Sequence, residues 1–219
     1  MNYNFSTGSK RAIHWNIITR QNLKQYLGRH TITSFLTRKE TATYGRLRTR
    51  KRKQEWLLGR YAVKLIVSKL ARKESKSVAL PGIEVTNNTA GVPQLSKNPL
   101  FTKAKISISH CGSVAIGAVL AGHGAIGVDI EIIRKLRPSV RDYILTKEEE
   151  HWATSPQQII TCWSLKEAIA KLNGEGLQFN PKKTKVLFRD GTYRALDSRI
   201  KLHTFTINNY AVSLAVKDK

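Results

Sequence analysis

Carboxylates are scarce in this sequence. It carries 15 Asp and Glu against 38 Lys and Arg, a formal charge of +23 over 219 residues. A balance so basic implies an anionic partner: nucleic acid, a membrane surface, an acidic protein or a phosphorylated small molecule. Cysteine is nearly absent too. Cys111 and Cys162 are the whole supply, with no CxxC and no His at metal spacing, which excludes a disulfide scaffold and a zinc-ribbon type of site and leaves two idle or buried thiols. Long apolar runs are missing. Nothing approaches the roughly 18 to 20 residues of a membrane span, and the opening MNYNFSTGSKRAIHW has no apolar signal core, so a cytoplasmic protein with no membrane attachment is expected.

What is present is an ordinary globular content, 41% hydrophobic, enough for one large domain or two small ones. The basic residues are densest in TRKETATYGRLRTRKRKQ, 37–54. WLLGRYAVK (56–64) and WSLKEAIAK (163–171) align at an offset of 107 (163 less 56), setting Lys64 against Lys171 and Arg60 against Glu167. Both have the apolar spacing of a long core helix. Each is followed by turn-rich strands and then by two alternating strands, KISISHCGSVAIGAVL (105–120) and IKLHTFTINNYAVSLAV (200–216). The pattern predicts an α+β fold: a pseudo-twofold repeat of two helix-plus-antiparallel-sheet halves, 1–122 and 123–219, rather than a parallel βαβ sheet. In such repeats a site is expected where the halves meet.

The halves differ in their acids. The second opens on IGVDIE (126–131), the first on IHWNII (13–18) without a carboxylate. On a strand Asp129 and Glu131 share one face, with Val128 and Ile130 expected to point into the core. Paired carboxylates repel unless a cation lies between them, and hard oxygen donors of this kind suit Mg²⁺ together with a phosphorylated substrate. Glu167, mid-helix, has Lys171 at i+4. Chemistry alone leaves two readings of it open, a surface ion pair or a third ligand.

IGVDIE followed 32 residues later (163 less 131) by WSLKEAIAK and GEGL resembles the paired signature of the 4'-phosphopantetheinyl transferases. FLTRKETATYGRLRTRKRKQEWLLGR (35–60), GVP (91–93) and ISISHCG (106–112) are similar to further motifs of that family, in its order, and the two-half organisation resembles the longer, pseudodimeric members of the surfactin-synthetase-activator (Sfp) type. The resemblance implies transfer of phosphopantetheine from coenzyme A to a serine of an apo acyl, polyketide or peptidyl carrier protein with an acidic surface. It implies Mg²⁺ held by Asp129, Glu131 and Glu167, catalytic roles for Glu167 and Lys171, and a monomer that is its own pseudodimer. It further implies coenzyme A contacts from Lys51, Arg52, Arg60, Lys64, Gly91, Pro93, Ser109 and His110. Val92 stands where many relatives have Lys, and Cys111 where Ser is common. Two other readings compete. A basic nucleic-acid-binding protein leaves the carboxylates unexplained, and an idle relative kept as a binding module is at odds with intact Asp129, Glu131, Glu167 and Lys171.

Overall fold

The computed structural model describes residues 2–6, 12–96, 101 and 103–218. The chain divides into two compact units, Met1–His123 and Gly124–Lys219. In the first, β1 (Asn2–Ser6) and β2 (Ala12–Thr19) precede three helices, α1 (Arg20–Leu27), α2 (Arg38–Arg46) and α3 (Arg50–Lys73). A hairpin of β3 (Glu84–Asn87) and β4 (Pro93–Ser96) follows, then β5 (Lys105–Cys111) and β6 (Val114–Leu120). The second unit repeats this order from β7 (Ala125–Ile132) through α4 (Pro138–Ile144), α5 (Lys147–Glu150) and α6 (Pro156–Asn173). It ends with the hairpin β8 (Val186–Arg189) and β9 (Thr192–Ala195), then β10 (Ile200–Ile207) and β11 (Tyr210–Lys217). The sheets run β1-β2-β6-β5 and β10-β11-β7, antiparallel throughout. This is the expected α+β repeat, with β1 added at the edge of one sheet. No helix among the described residues is long and apolar enough to cross a membrane.

In each unit the long helix lies against the sheet where a strand glycine makes room. A Cβ on Gly117 would meet Val63 and Ala62 of α3, and one on Gly127 would run into the backbone of Ala168 and Leu172 on α6. These contacts decide which strand face is which. Gly127, Asp129 and Glu131 share the face that α6 covers. Val128 and Ile130 are fully buried on the opposite face, as expected, and the face that carries the acids is covered as well, by the helix. The helix seats itself at Gly127 because nothing there fills the space, and the acids two and four residues on come under it.

The helices begin at signals visible in the sequence. Thr49 caps α3 by accepting the Arg52 N–H. Ser155 and Gln158 form a capping box on α6, with Pro156 at the first turn, and Gly174, at φ 72°, closes its C-terminus in the left-handed conformation. Capping boxes at Thr37–Glu40 and Thr146–Glu149 start α2 and α5, and both glutamates are used a second time. Glu40 Oε2 lies 2.5 Å from Lys64 Nζ, which also donates to the Phe35 and Leu80 carbonyls. Glu149 Oε2 lies 2.6 Å from Lys166 Nζ, which also donates to the Ile144 and Pro181 carbonyls. The remaining carboxylate oxygens accept the N–H groups of Val85 and Val186. One buried bracket, tying a short helix, a long helix and a hairpin strand, is thus built twice.

These contacts set the register of the repeat. Lys64 corresponds to Lys166, an offset of 102 (166 less 64), so the alignment of Lys64 with Lys171 is five residues out. Corrected, Glu167 corresponds to Leu65, Lys171 to Lys69 and Arg60 to Cys162. Two tryptophans in apolar helices had suggested the wrong pairing; a buried lysine leaves no mark in a hydrophobic pattern. The strand alignment holds. Gly117 and Ser213 are each the fourth residue of their strand, and they pair with Asn16 and Asp129, so IHWNII and IGVDIE superimpose with Asn16 opposite Asp129 and Ile18 opposite Glu131.

Candidate active site

In the second unit the acids gather under α6. Asp129, only 2% exposed, accepts a hydrogen bond from Lys171 Nζ at 2.6 Å. Lys171 therefore reaches across to β7, which is not the behaviour of a surface i,i+4 pair. The Glu167 carboxyl is pushed up to about 7: burial is the main cause, the negative charges of Asp129 and then Glu131 add to it, and the Lys171 ammonium opposes it. Glu167 thus feels the charge of both strand carboxylates. As hard oxygen donors in mutual repulsion the three fit Mg²⁺ by chemistry. Their side chains are not closed around one point, for among the described residues no three His, Cys, Asp or Glu groups are arranged to hold a metal ion.

In the first unit the predicted phosphate contacts separate into two groups. At the start of α3, exposed Lys51 lies 3.9 Å from Glu55, whose other oxygen is 3.9 Å from His110 Nδ1, while Arg52 Nη1 is 3.5 Å from His110 Nε2. Two turns beyond Arg52, buried Arg60 stacks on Trp56 with its guanidinium carbon 3.9 Å from the ring centre, and donates to Asn87 Oδ1 at 3.1 Å. Burial, opposed by Glu40 and assisted by Arg52, lowers the Arg60 guanidinium to about 10. Asn87 Nδ2 in turn donates to the Gly91 carbonyl. The Gly-Val-Pro turn, with Gly91 at φ 81° and Pro93 opening β4, is therefore linked to Arg60 through one asparagine.

Two predicted contacts do not join these groups. Lys64 is 0% exposed, spent on Glu40 and two carbonyls, and has no access to a phosphate. Ser109 is buried, and as the strand neighbour of His110 it faces the other side of the sheet, not beside the imidazole. Sequence reasoning passed over Asn87, Glu55 and the whole bracket of Glu40, Glu149 and Lys166. The brackets had a signal, the repeated T-x-x-E of TRKE and TKEE. Asn87 and Glu55 had none, since polar residues beside a turn and in a basic helix read as solvated surface. Of the two thiols, Cys162 is buried and Cys111 half-buried.

Residues 125–215 match the family model described as 4'-phosphopantetheinyl transferase superfamily. Over 85 residues the chain is 38% identical to a holo-[acyl-carrier-protein] synthase of Lacticaseibacillus casei (strain BL23), covering 39% of this chain and 68% of that protein. The chain belongs to the 4'-phosphopantetheinyl transferase superfamily. A holo-[acyl-carrier-protein] synthase of Lactococcus lactis subsp. cremoris (strain SK11) is 31% identical over 90 residues, 41% of this transferase-superfamily chain and 76% of the relative. A crystal structure of a Bacillus anthracis holo-(acyl-carrier-protein) synthase, in complex with CoA (3',5'-ADP), aligns with a TM-score of 0.41 and 25% identity over 49% of this chain and 92% of its own. The stretch of superfamily similarity, 125–215, contains Asp129, Glu131, Glu167 and Lys171. Arg60, His110 and the Gly-Val-Pro turn lie ahead of it.

Proposed function

We propose that this chain is a two-unit, Sfp-type member of the superfamily. It transfers 4'-phosphopantetheine from coenzyme A to a serine hydroxyl of an apo acyl, polyketide or peptidyl carrier protein, as a cytoplasmic monomer. The observation that carries this reading is the group of Asp129, Glu131, Glu167 and Lys171 under α6, within the stretch that matches the superfamily. In the reaction the serine oxygen bonds to the phosphorus next to pantetheine. The pyrophosphate P–O bond breaks, adenosine 3',5'-bisphosphate leaves, and the serine proton is lost.

Asp129, Glu131 and Glu167 would hold Mg²⁺, which supplies positive charge for the pyrophosphate as its bond breaks. Lys171, poised on Asp129, adds a fixed ammonium that stabilises the leaving bisphosphate. Glu167 takes the serine proton itself or through a water it orients, by its position beside the reacting group. Arg52, Arg60 and His110, with Lys51 at the rim, bind coenzyme A phosphates. The Arg60–Asn87–Gly91 chain of hydrogen bonds fixes the turn where Val92 replaces the usual lysine, so Arg60 supplies the charge that turn lacks.

The test is to incubate the protein with coenzyme A, Mg²⁺ and a panel of apo carriers and weigh each carrier. One added phosphopantetheine on at least one carrier is expected. No mass gain on acyl, polyketide or peptidyl carriers would sink the reading.

A further inference from the structure

A broad groove belongs to the first unit alone. About 1450 Å³ in volume, it is walled by β2, α1, α3 and the segment 77–80. Its lining includes Asn16, Ile18, Leu65 and Lys69. By the corrected register these are the counterparts of Asp129, Glu131, Glu167 and Lys171. The groove is therefore the first unit's version of the acidic site, at the same place on the same scaffold. Each carboxylate has become an amide or an alkyl group, while the lysine remains.

That exchange changes what the place can hold. Among the described residues no Asp or Glu lines it, so they offer no hard anionic donors for a divalent cation. It is instead edged by Arg29, His30 and Arg72 in addition to Lys69, all exposed. The positive charge is felt inside the fold: His14, beneath this helix, is held below the usual imidazole range first by burial and then by Lys73 and Lys69. Guanidinium forks and an ammonium around an acid-free groove suit phosphate oxygens. Two rings stand in the lining as well, Tyr26 and Tyr61, with centroids 4.9 Å apart, and His30 lies 4.6 Å from Tyr26. Tyr61 is buried and Tyr26 half-buried, so Tyr26 is the tyrosine of this lining that a ligand's ring can meet.

We propose that this groove is a second, metal-independent binding site for a phosphorylated ligand that carries an aromatic ring, a nucleotide by chemical class. It goes beyond the transfer reaction, because it uses none of the residues assigned there. Charge on Lys69, Arg72 and Arg29 takes the phosphates, and the Tyr26 edge takes the base.

The probe is adenosine 3',5'-bisphosphate, titrated by calorimetry into the full-length protein with excess chelator, so that binding aided by Mg²⁺ is removed. Wild type is expected to bind it. Replacing Lys69→Glu together with Arg72→Glu, both exposed and outside the core, should weaken that binding at least about tenfold, the scale of losing charge-assisted contacts. Arg60→Ala with His110→Ala should leave a chelator-resistant site of unchanged affinity, and Tyr26→Ala should weaken it. Undiminished binding in the Lys69→Glu/Arg72→Glu protein overturns the proposal, as does loss of all binding in the Arg60→Ala/His110→Ala protein. Inorganic pyrophosphate binding as tightly as the nucleotide would overturn the assignment of an aromatic-bearing ligand. Because the readout is binding without metal or carrier, its outcome is separable from whether the protein modifies any carrier.

Discussion

Lys171 holds Asp129 across 2.6 Å from helix to strand, joining a cation on α6 to an acid on β7. The pair sets an order of effects. Asp129→Ala or Glu167→Ala should lower transfer at least roughly a hundredfold while the protein still folds, the usual scale for losing a group that acts on developing charge. Lys171→Ala should lower kcat by more than it weakens coenzyme A, because its charge is used most as the bisphosphate leaves. Steady-state kinetics beside calorimetry separates the two. Near-normal turnover in Glu167→Ala would defeat the assignment.

The Glu167 carboxyl, at about 7 in the folded chain, against an ordinary glutamate near 4.3, makes the site sensitive to pH. Between those values the folded protein keeps a proton that the unfolded chain has lost. This group's contribution to stability therefore falls as pH rises toward and through 7. A divalent cation competes with that proton, so Mg²⁺ should raise Tm more at pH 8 than at pH 6. In Glu167→Gln the difference between the two pH values should disappear. An equal Mg²⁺ effect at both pH values in wild type would show that Glu167 does not bind it.

The bracket of Glu149 and Lys166 seats the residue just before Glu167. Both partners are buried, and removing one leaves an uncompensated charge, so Glu149→Ala should cost about 3–5 kcal/mol by denaturant unfolding. Lys166→Met combined with Glu149→Gln removes both charges and should recover much of that loss. Additive destabilisation in the double variant would mean the two do not act as a pair. Lys64→Met with Glu40→Gln is expected to behave in the same way in the first unit.

These brackets also mark the limit of reading the sequence. The α+β repeat was legible because helix and strand periods recur in both halves, and the acid cluster because carboxylates are conspicuous in a basic chain. The orientation of Asp129 was not legible. Period-two alternation separates two strand faces without saying which one a helix covers, and Gly127 decided that by its missing side chain. Lys64 was misread because sequence reports a lysine's charge and not its direction; only the fold reveals Glu40 and two carbonyls waiting for it. Arg60 was found but its tether was not, since Asn87 lies 27 residues away on a hairpin.

Arg60 and His110 are expected to act on coenzyme A and not on the carrier. Arg60→Ala and His110→Ala should each weaken coenzyme A in calorimetry with Mg²⁺ present, while the carrier KM at saturating coenzyme A changes little. Asn87→Ala should weaken coenzyme A less, because Arg60 keeps its stacking on Trp56 when it loses the tether. Unchanged affinity in both the Arg60 and His110 variants would remove the first unit from coenzyme binding.

The basic excess should show itself in how fast the carrier is found. Lys51, Arg48, Arg50 and most of the other cations of 38–53 are exposed, and a chain at +23 exerts a long-range field on an acidic partner. Screening shortens from about 10 Å at 0.1 M salt to about 3 Å at 1 M. Exposed charges that steer an encounter lose most under that change, whereas contacts in a desolvated site lose less. Raising NaCl should therefore increase the carrier KM several-fold while kcat, at saturating coenzyme A, moves much less. Steady-state rates with one apo carrier across a salt series measure this directly. A flat carrier KM would mean that the charge serves another anion, and binding to nucleic acid or to anionic vesicles would then be the next measurement.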